Sequence, residues 1–177
     1  MFCYQCEETM NGEGCTNNGM CGKKGEVADL QDDLIYVLKS IAFYNQKARK
    51  AKISEKSTDE FMLDALFSTI TNTDFRASGI QDRIDRGFKV QNEIKQKLLD
   101  NNLLDENDLP EIATLTPENL KDRNTGILAT EDEDIRSLRE LLIYGIKGIA
   151  AYAYHSMILG NSNKKINSFI EDGLVAT

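Results

Sequence analysis

Clustered positive charge is what this 177-residue sequence lacks first. Its 21 Lys and Arg stand against 29 Asp and Glu, a formal net charge of -8. Proteins that track nucleic acid neutralise phosphates with grouped Lys and Arg, so nucleic acid is not an expected partner. No run reaches the roughly 20 apolar residues that span a bilayer. The most apolar stretch, Leu141 to Leu159, is interrupted by Lys147 and His155. A leader is not legible either, because Cys3, Gln5, Cys6, Glu7 and Glu8 occupy the place of its apolar core. The expectation is a soluble cytoplasmic protein without a membrane partner. No internal repeat, low-complexity tract or strand-like alternation is present, and nucleophile, paired-base and phosphate-loop signatures are missing. No catalytic residue is therefore expected within the chain.

Cysteine is absent after position 21, which makes the distribution of the four cysteines informative. They read Cys3-x2-Cys6-x8-Cys15-x5-Cys21. A chain of this size buries roughly 70% of its unfolded surface and needs no covalent staple, and in a reducing cytosol clustered cysteines are ligands or redox thiols more often than disulfides. Gly12, Gly14, Gly19 and Gly22, with Asn11, Asn17 and Asn18, supply the turns by which backbone amides wrap a small group.

The rest of the sequence predicts an all-α fold, a helical bundle preceded by the Cys-rich loop. Val27, Leu30, Leu34, Val37, Leu38 and Ile41 recur at helical spacing from Gly25 to about Arg49. Ser57-Thr-Asp-Glu60 reads as a capping box opening a second helix to about Thr71, which buries Phe61, Leu66 and Ile70. Ser78 to Gln81 opens a third, with Ile80, Ile84, Phe88, Ile94 and Leu98 on one side and a polar end at Asp100 to Asn102. Both prolines, Pro110 and Pro117, fall in a connector where Thr116 caps one short helix with Pro117 at its first position. Thr130 to Glu133 reads as another capping box, starting a helix that runs to Leu159 and stops at Gly160. A last helix is expected from Lys164 to Asp172, ending at Gly173. The expected organisation is a four-cysteine loop over 1–25, a three-helix bundle over 26–102, a connector over 103–129, and a long plus a short helix over 130–177 on the same domain.

Four cysteines so close together can hold zinc, hold an iron–sulfur cluster, or act as redox thiols. Structural zinc usually takes two separated, closely spaced pairs, whereas only Cys3 and Cys6 form a knuckle here. The x8 and x5 intervals in a Gly/Asn-rich loop favour an iron–sulfur cluster. A redox dithiol normally sits at a helix start within a βαβ pattern that this chain lacks. Phe2 and Tyr4 either limit water access to such a cluster or anchor the loop to the bundle. His155, the single histidine, is expected to be packed or edge-exposed rather than a ligand, and Glu131 to Asp134 to be a solvated helix terminus. Gly145 and Gly148 each cost about 1 kcal/mol of helix propensity, and the expected return is close approach of another backbone.

Met1-Phe-Cys-Tyr-Gln-Cys-Glu-Glu-Thr9, Gly14-Cys-Thr16 before Gly19-Met-Cys-Gly-Lys23, and Tyr144-Gly-Ile-Lys-Gly-Ile-Ala-Ala-Tyr-Ala-Tyr-His155 followed by Leu-Gly resemble the hybrid-cluster proteins, also called hydroxylamine reductases or prismane proteins. The resemblance implies that Cys3, Cys6, Cys15 and Cys21 hold the proximal cluster, and that their spacing is the form that carries [4Fe-4S] in anaerobes. It implies a parent enzyme that reduces hydroxylamine to ammonia and nitric oxide to nitrous oxide at a second, hybrid iron–sulfur–oxygen cluster. The ligands of that cluster, a set of Cys, Glu and His, lie in two later α/β domains, so none is assigned here. The implied role is that of an electron-transfer domain, inactive alone, whose partners are the remaining domains of the parent and an external redox donor. Two alternatives stay open: a non-enzymatic helical module with four-cysteine zinc, and a short stand-alone electron carrier. The small and aromatic residues from Gly145 to Tyr154 suit coverage by another domain, so the isolated chain is expected to self-associate.

Overall fold

The computed structural model describes residues 1–70 and 75–177. Among them lie six α-helices: α1 Gly25–Lys50, α2 Lys56–Ile70, α3 Ala77–Asp100, α4 Pro117–Leu120, α5 Glu133–Ile158 and α6 Lys164–Ala176. The described residues contain no strand, only isolated bridges between Cys3 and Cys15 and between Asn18 and Lys24. The all-α expectation holds. No helix is long and apolar enough to cross a membrane among the described residues.

The apolar periodicity of α1 builds the centre of the core. Leu34, Val37, Leu38 and Ile41 are completely buried, and they meet Phe61 and Leu66 of α2 and Ile80, Ile84, Phe88, Ile94 and Leu98 of α3. Helix α2 starts where α1 ends, and α3 runs back again, so that Lys97 near its end hydrogen-bonds Glu55 before α2. Gly87 lets α3 press onto α1: a Cβ there would come within 2.7 Å of Val37 Cγ1. Helix α6 packs on α1 and α5, and α5 packs along α2. The connector is pinned by two buried polar side chains. Tyr44 donates to the Ala113 carbonyl at 2.6 Å, and Gln91 to the Leu115 carbonyl at 2.9 Å.

One buried charged network ties α1, α2 and α6. Arg49 donates to both Asp59 and Glu171, Asn45 donates to Glu171 at 2.6 Å, and Asn167 donates to Asp59 at 2.8 Å. Burial pushes the Glu171 carboxyl up while the Arg49 hydrogen bond pulls it down. Breaking one partner of such a buried network leaves an uncompensated charge and is strongly destabilising.

Several helix termini differ from expectation. Helix α2 begins at Lys56, so Ser57 lies inside its first turn, and its hydroxyl donates to Glu55 instead of capping. The expected end at Thr71 lies outside the described residues. Helix α3 begins at Ala77 with no side-chain cap, so Ser78 does not open it. Asp132, not Thr130, caps α5, accepting from the Ile135 amide at 2.9 Å. Thr116 does cap α4, in a reciprocal box with Asn119 and with Pro117 at the first position. Gly160 ends α5 with φ of 84°. Helix α6 runs through Gly173 to Ala176, because Gly173 serves packing: its Cβ would stand 2.4 Å from Ile146 Cδ1. Gly145 and Gly148 have the opposite surroundings, with nothing within 4 Å of the point where a Cβ would stand. The close approach of another backbone expected at these two glycines is therefore not made among the described residues.

These contrasts predict opposite signs for the same substitution. Gly145→Ala should raise stability by roughly 0.5–1 kcal/mol through helix propensity alone. Gly173→Ala should lower it by roughly 1 kcal/mol, since overpacking of about 1–3 kcal/mol outweighs the same gain. Urea unfolding midpoints of the two variants check both.

Candidate metal centre

The first 24 residues carry few apolar side chains, so their backbone finds order in local hydrogen bonds. Cys3 and Cys15 exchange both of theirs, amide to carbonyl at 3.0 and 2.8 Å, the hydrogen-bonded pairing of antiparallel chains. Thr9 donates to the Cys3 carbonyl at 3.1 Å and lies 4.0 Å from Cys15 Sγ. Asn11 and Gly12 turn the intervening loop with positive φ of 56° and 70°. A second turn is closed by the Gly19 amide on the Lys23 carbonyl at 2.7 Å. Gly19 also makes room for a sulfur, since its Cβ would fall 2.9 Å from Cys21 Sγ. Gly14 lies under the Phe2 ring, which meets Tyr4 edge to face at 5.3 Å. The aromatic pair thus packs on the loop itself.

All four thiols are free. The structure brings Cys3 and Cys15 side by side, with Cys15 buried, and leaves Cys6 and Cys21 exposed on the same loop. Among the described residues no three Cys, His, Asp or Glu side chains stand together as a metal site. The donor chemistry nevertheless fits a thiolate-bound metal group. Hydrogen bonding from the backbone of Met10 and Met20 holds the Cys15 thiol below its ordinary pKa, against burial, with Thr9 and Lys23 acting in the same direction. A thiol biased toward thiolate among backbone amides is the environment that a cluster ligand requires.

His155 and the acidic run stay outside this site. His155 is exposed near the end of α5, edge-on to Phe67 at 5.2 Å. Asp132 serves as the helix cap described above.

A cavity of about 920 Å³ lies beside the loop, and among its mixed polar and apolar lining are Cys3 and Gln5, Gln31, Asp32 and Lys39 of α1, and Glu140 and Lys147 of α5. In the sequence Lys147 reads only as an interruption of an apolar stretch. Its ammonium is buried and donates to Gln5 Oε1 at 2.9 Å, while Gln5 Nε2 donates to the Thr69 carbonyl of α2 at 3.4 Å. Gln5 lies inside the Cys3–Cys6 knuckle, so this pair of bonds fastens the knuckle to two helices. The signal present in the sequence is a lysine at a core position of an otherwise apolar helix face. Burial pushes Asp32 up to about 7 and Lys147 down to about 8. Glu140 is raised and Lys39 lowered, also by burial.

The whole chain, residues 1–177, matches the Prismane/CO dehydrogenase family. The chain belongs to this family. It is similar to proteins named hydroxylamine reductase: 54% identical over 177 residues to that of Methanosarcina mazei, 47% over 182 to that of Clostridium novyi, and 44% over 188 to that of Halothermothrix orenii. Each match takes in 100% of this chain and 33%, 33% and 34% of the relative. The chain thus spans about a third of the length of these curated relatives, corresponding to their amino-terminal part.

The cavity's buried charges predict how stability follows pH. Asp32 keeps its proton in the fold up to about pH 7, whereas an unfolded Asp is ionised above about pH 4. The fold therefore binds more protons between those values, and stability falls as pH rises through them. Lys147 loses its proton in the fold above about pH 8 but in the unfolded chain only near pH 10, so stability recovers above 8. A stability minimum between about pH 7 and 8 is expected in urea unfolding, and Asp32→Asn should remove much of the fall on its acid side.

Proposed function

We propose that this chain is the iron–sulfur electron-transfer part of a hydroxylamine reductase, with Cys3, Cys6, Cys15 and Cys21 holding a [4Fe-4S] cluster. The observation that carries the reading is the 54% identity over the full chain to a protein of that name, together with four free thiols on one short loop. When bound, such a cluster supplies reversible one-electron transfer. The chain's own residues have three tasks. Thiolates provide the ligands, and loop amides, already directed at Cys15, lower the cost of their charge. Phe2 and Tyr4 cover one flank of the loop and restrict water. Gln5, held by Lys147 and Thr69, fixes the Cys3–Cys6 knuckle on the helices so that the ligands keep their positions when charge changes.

The reaction belongs to the longer parent. Electrons come from an external donor and leave toward the remaining domains, where hydroxylamine takes up two electrons and two protons to give ammonia and water, or nitric oxide is reduced to nitrous oxide. The isolated chain carries no catalytic group for those steps and is inactive alone. Free thiols on an exposed loop suit a reducing cytoplasm. An oxygen-labile cluster on such a loop is lost from protein handled in air, so loading is done anaerobically.

The outer face of α5 is the surface offered to the remaining domains. Leu138, Leu141, Tyr144 and Tyr152 are exposed, Tyr152 at 83%, alongside the open Gly145 and Gly148. Contiguous exposed apolar residues mark interaction sites. In isolation the chain is expected to self-associate through this face, and a strictly monomeric mass by light scattering at high concentration would remove that expectation.

Single Cys→Ser variants test the ligand set. After anaerobic reconstitution with iron and sulfide, the unmodified chain is expected to hold about four irons, in keeping with a [4Fe-4S] core. Each of the four variants should lose most of that iron. Retention of full iron by any one of them removes that cysteine from the set, and binding of one zinc in place of iron replaces the reading with a structural zinc module.

A further inference from the structure

Lys147 is 9% exposed and Lys23 4% exposed, and both lie beside the cysteine loop. Among the described residues no carboxylate approaches Lys147 within ion-pair distance, 4.0 Å. Its one described hydrogen bond goes to the neutral amide of Gln5. Lys23 faces the Phe75 ring at 5.7 Å. The charged side chains that line the cavity are Lys23, Lys39, Arg139 and Lys147 against Asp32, Glu111 and Glu140, and of these only Lys23 and Lys147 are buried. An ammonium taken out of water is strongly unfavourable unless a counter-charge offsets the lost hydration.

Asp32 and Glu140 act on Lys147 across the cavity, and the loop adds a further counter-charge. Cys3 acts electrostatically on Lys147, and Lys23 on Cys15. Four thiolates around an iron–sulfur core make a net anion, and every electron added increases its negative charge. A fixed cation in a low-dielectric setting stabilises the more negative form the most.

We propose that Lys147 is a positioning residue for redox poise: its buried ammonium, coupled to the cysteine knuckle through Gln5, favours the reduced form of the four-thiolate site and raises its reduction potential. This inference rests on the iron–sulfur reading above. The step is a simple electron transfer. One electron enters from an added low-potential reductant, dithionite, whose sulfur-dioxide radical anion is oxidised to sulfur dioxide and leaves as bisulfite. No bond within the chain forms or breaks, and the proton on Lys147 stays in place.

The test compares the unmodified chain with Lys147→Met, which keeps length without charge, and Lys147→Arg, which keeps charge. Each is reconstituted anaerobically, iron is counted, and the reduced fraction is followed by absorbance and EPR at controlled potential. With equal iron, Lys147→Met should show about a tenfold lower ratio of reduced to oxidised cluster at a fixed potential, which is about 59 mV for a one-electron couple. Lys147→Arg should stay close to the unmodified chain. Unfolding of the iron-free proteins supplies an independent readout: Lys147→Met should be as stable as the unmodified chain or more so, because a buried charge has been removed. Equal potentials in all three loaded proteins would overturn the proposal, as would strong destabilisation of iron-free Lys147→Met, which would make the lysine a scaffold residue. Loss of iron from Lys147→Met with an unchanged potential in the loaded fraction would also overturn it, by making the lysine an anchor of the loop only. An unmodified chain that takes up no iron defeats the iron–sulfur reading itself, and the proposal with it.

Discussion

The hydrogen bond from Lys147 to Gln5 is where the helical frame grips the cysteine loop. Residues 1–24 have glycines and asparagines where a self-supporting segment would have apolar side chains, so local hydrogen bonds alone leave the loop free to move as a body. Gln5 is placed between two of the cysteines and spans from α5 to α2, with Lys147 Nζ on one side and the Thr69 carbonyl on the other. A polar anchor at this point costs more than an apolar one, because an ammonium has been buried to make it. That cost is intelligible if the loop carries negative charge in its working state.

The anchor depends in turn on how α2 and α5 are held. Helix α1 is 26 residues long, or close to 40 Å at about 1.5 Å per residue, with the loop at its start and Arg49 near its end. Arg49, Asp59 and Glu171 close the bundle there, and α2 carries the constraint back along α1 until Thr69 meets Gln5. Tight contacts at Gly87 and Gly173 leave no slack between α3 and α1 or between α6 and α5. The frame is therefore close-packed next to Lys147, where Gly173 meets Ile146, while the outer face of α5 stays exposed.

Apolar periodicity made the long helices legible, because burying a stripe of Leu, Ile and Val dominates the energetics of segments this long. Helix starts were less legible. At Thr130 the nearby Asp132 takes the backbone amide instead, while α3 starts with no side-chain cap and Ser57 falls inside the first turn of α2, differences that the capping signal alone does not distinguish. Glycine was ambiguous for a related reason: Gly160 ends a helix through its positive φ, while Gly173 stays inside one because Ile146 needs the space. The four cysteines stood out by their spacing, and the family was legible from three motifs. Lys147 did not stand out as functional, because a single charge in an apolar helix gains meaning only when the partner, Gln5, is seen 142 positions away in the sequence.

The central claim is that the loop of Cys3, Cys6, Cys15 and Cys21 holds a redox-active iron–sulfur cluster. The most direct measurement is an anaerobic absorbance and EPR spectrum of the reconstituted chain, before and after dithionite, with iron and zinc counted in the same sample. The account predicts brown protein that bleaches on reduction to a paramagnetic state. Colourless protein with tightly held zinc, no iron and no response to dithionite would contradict it.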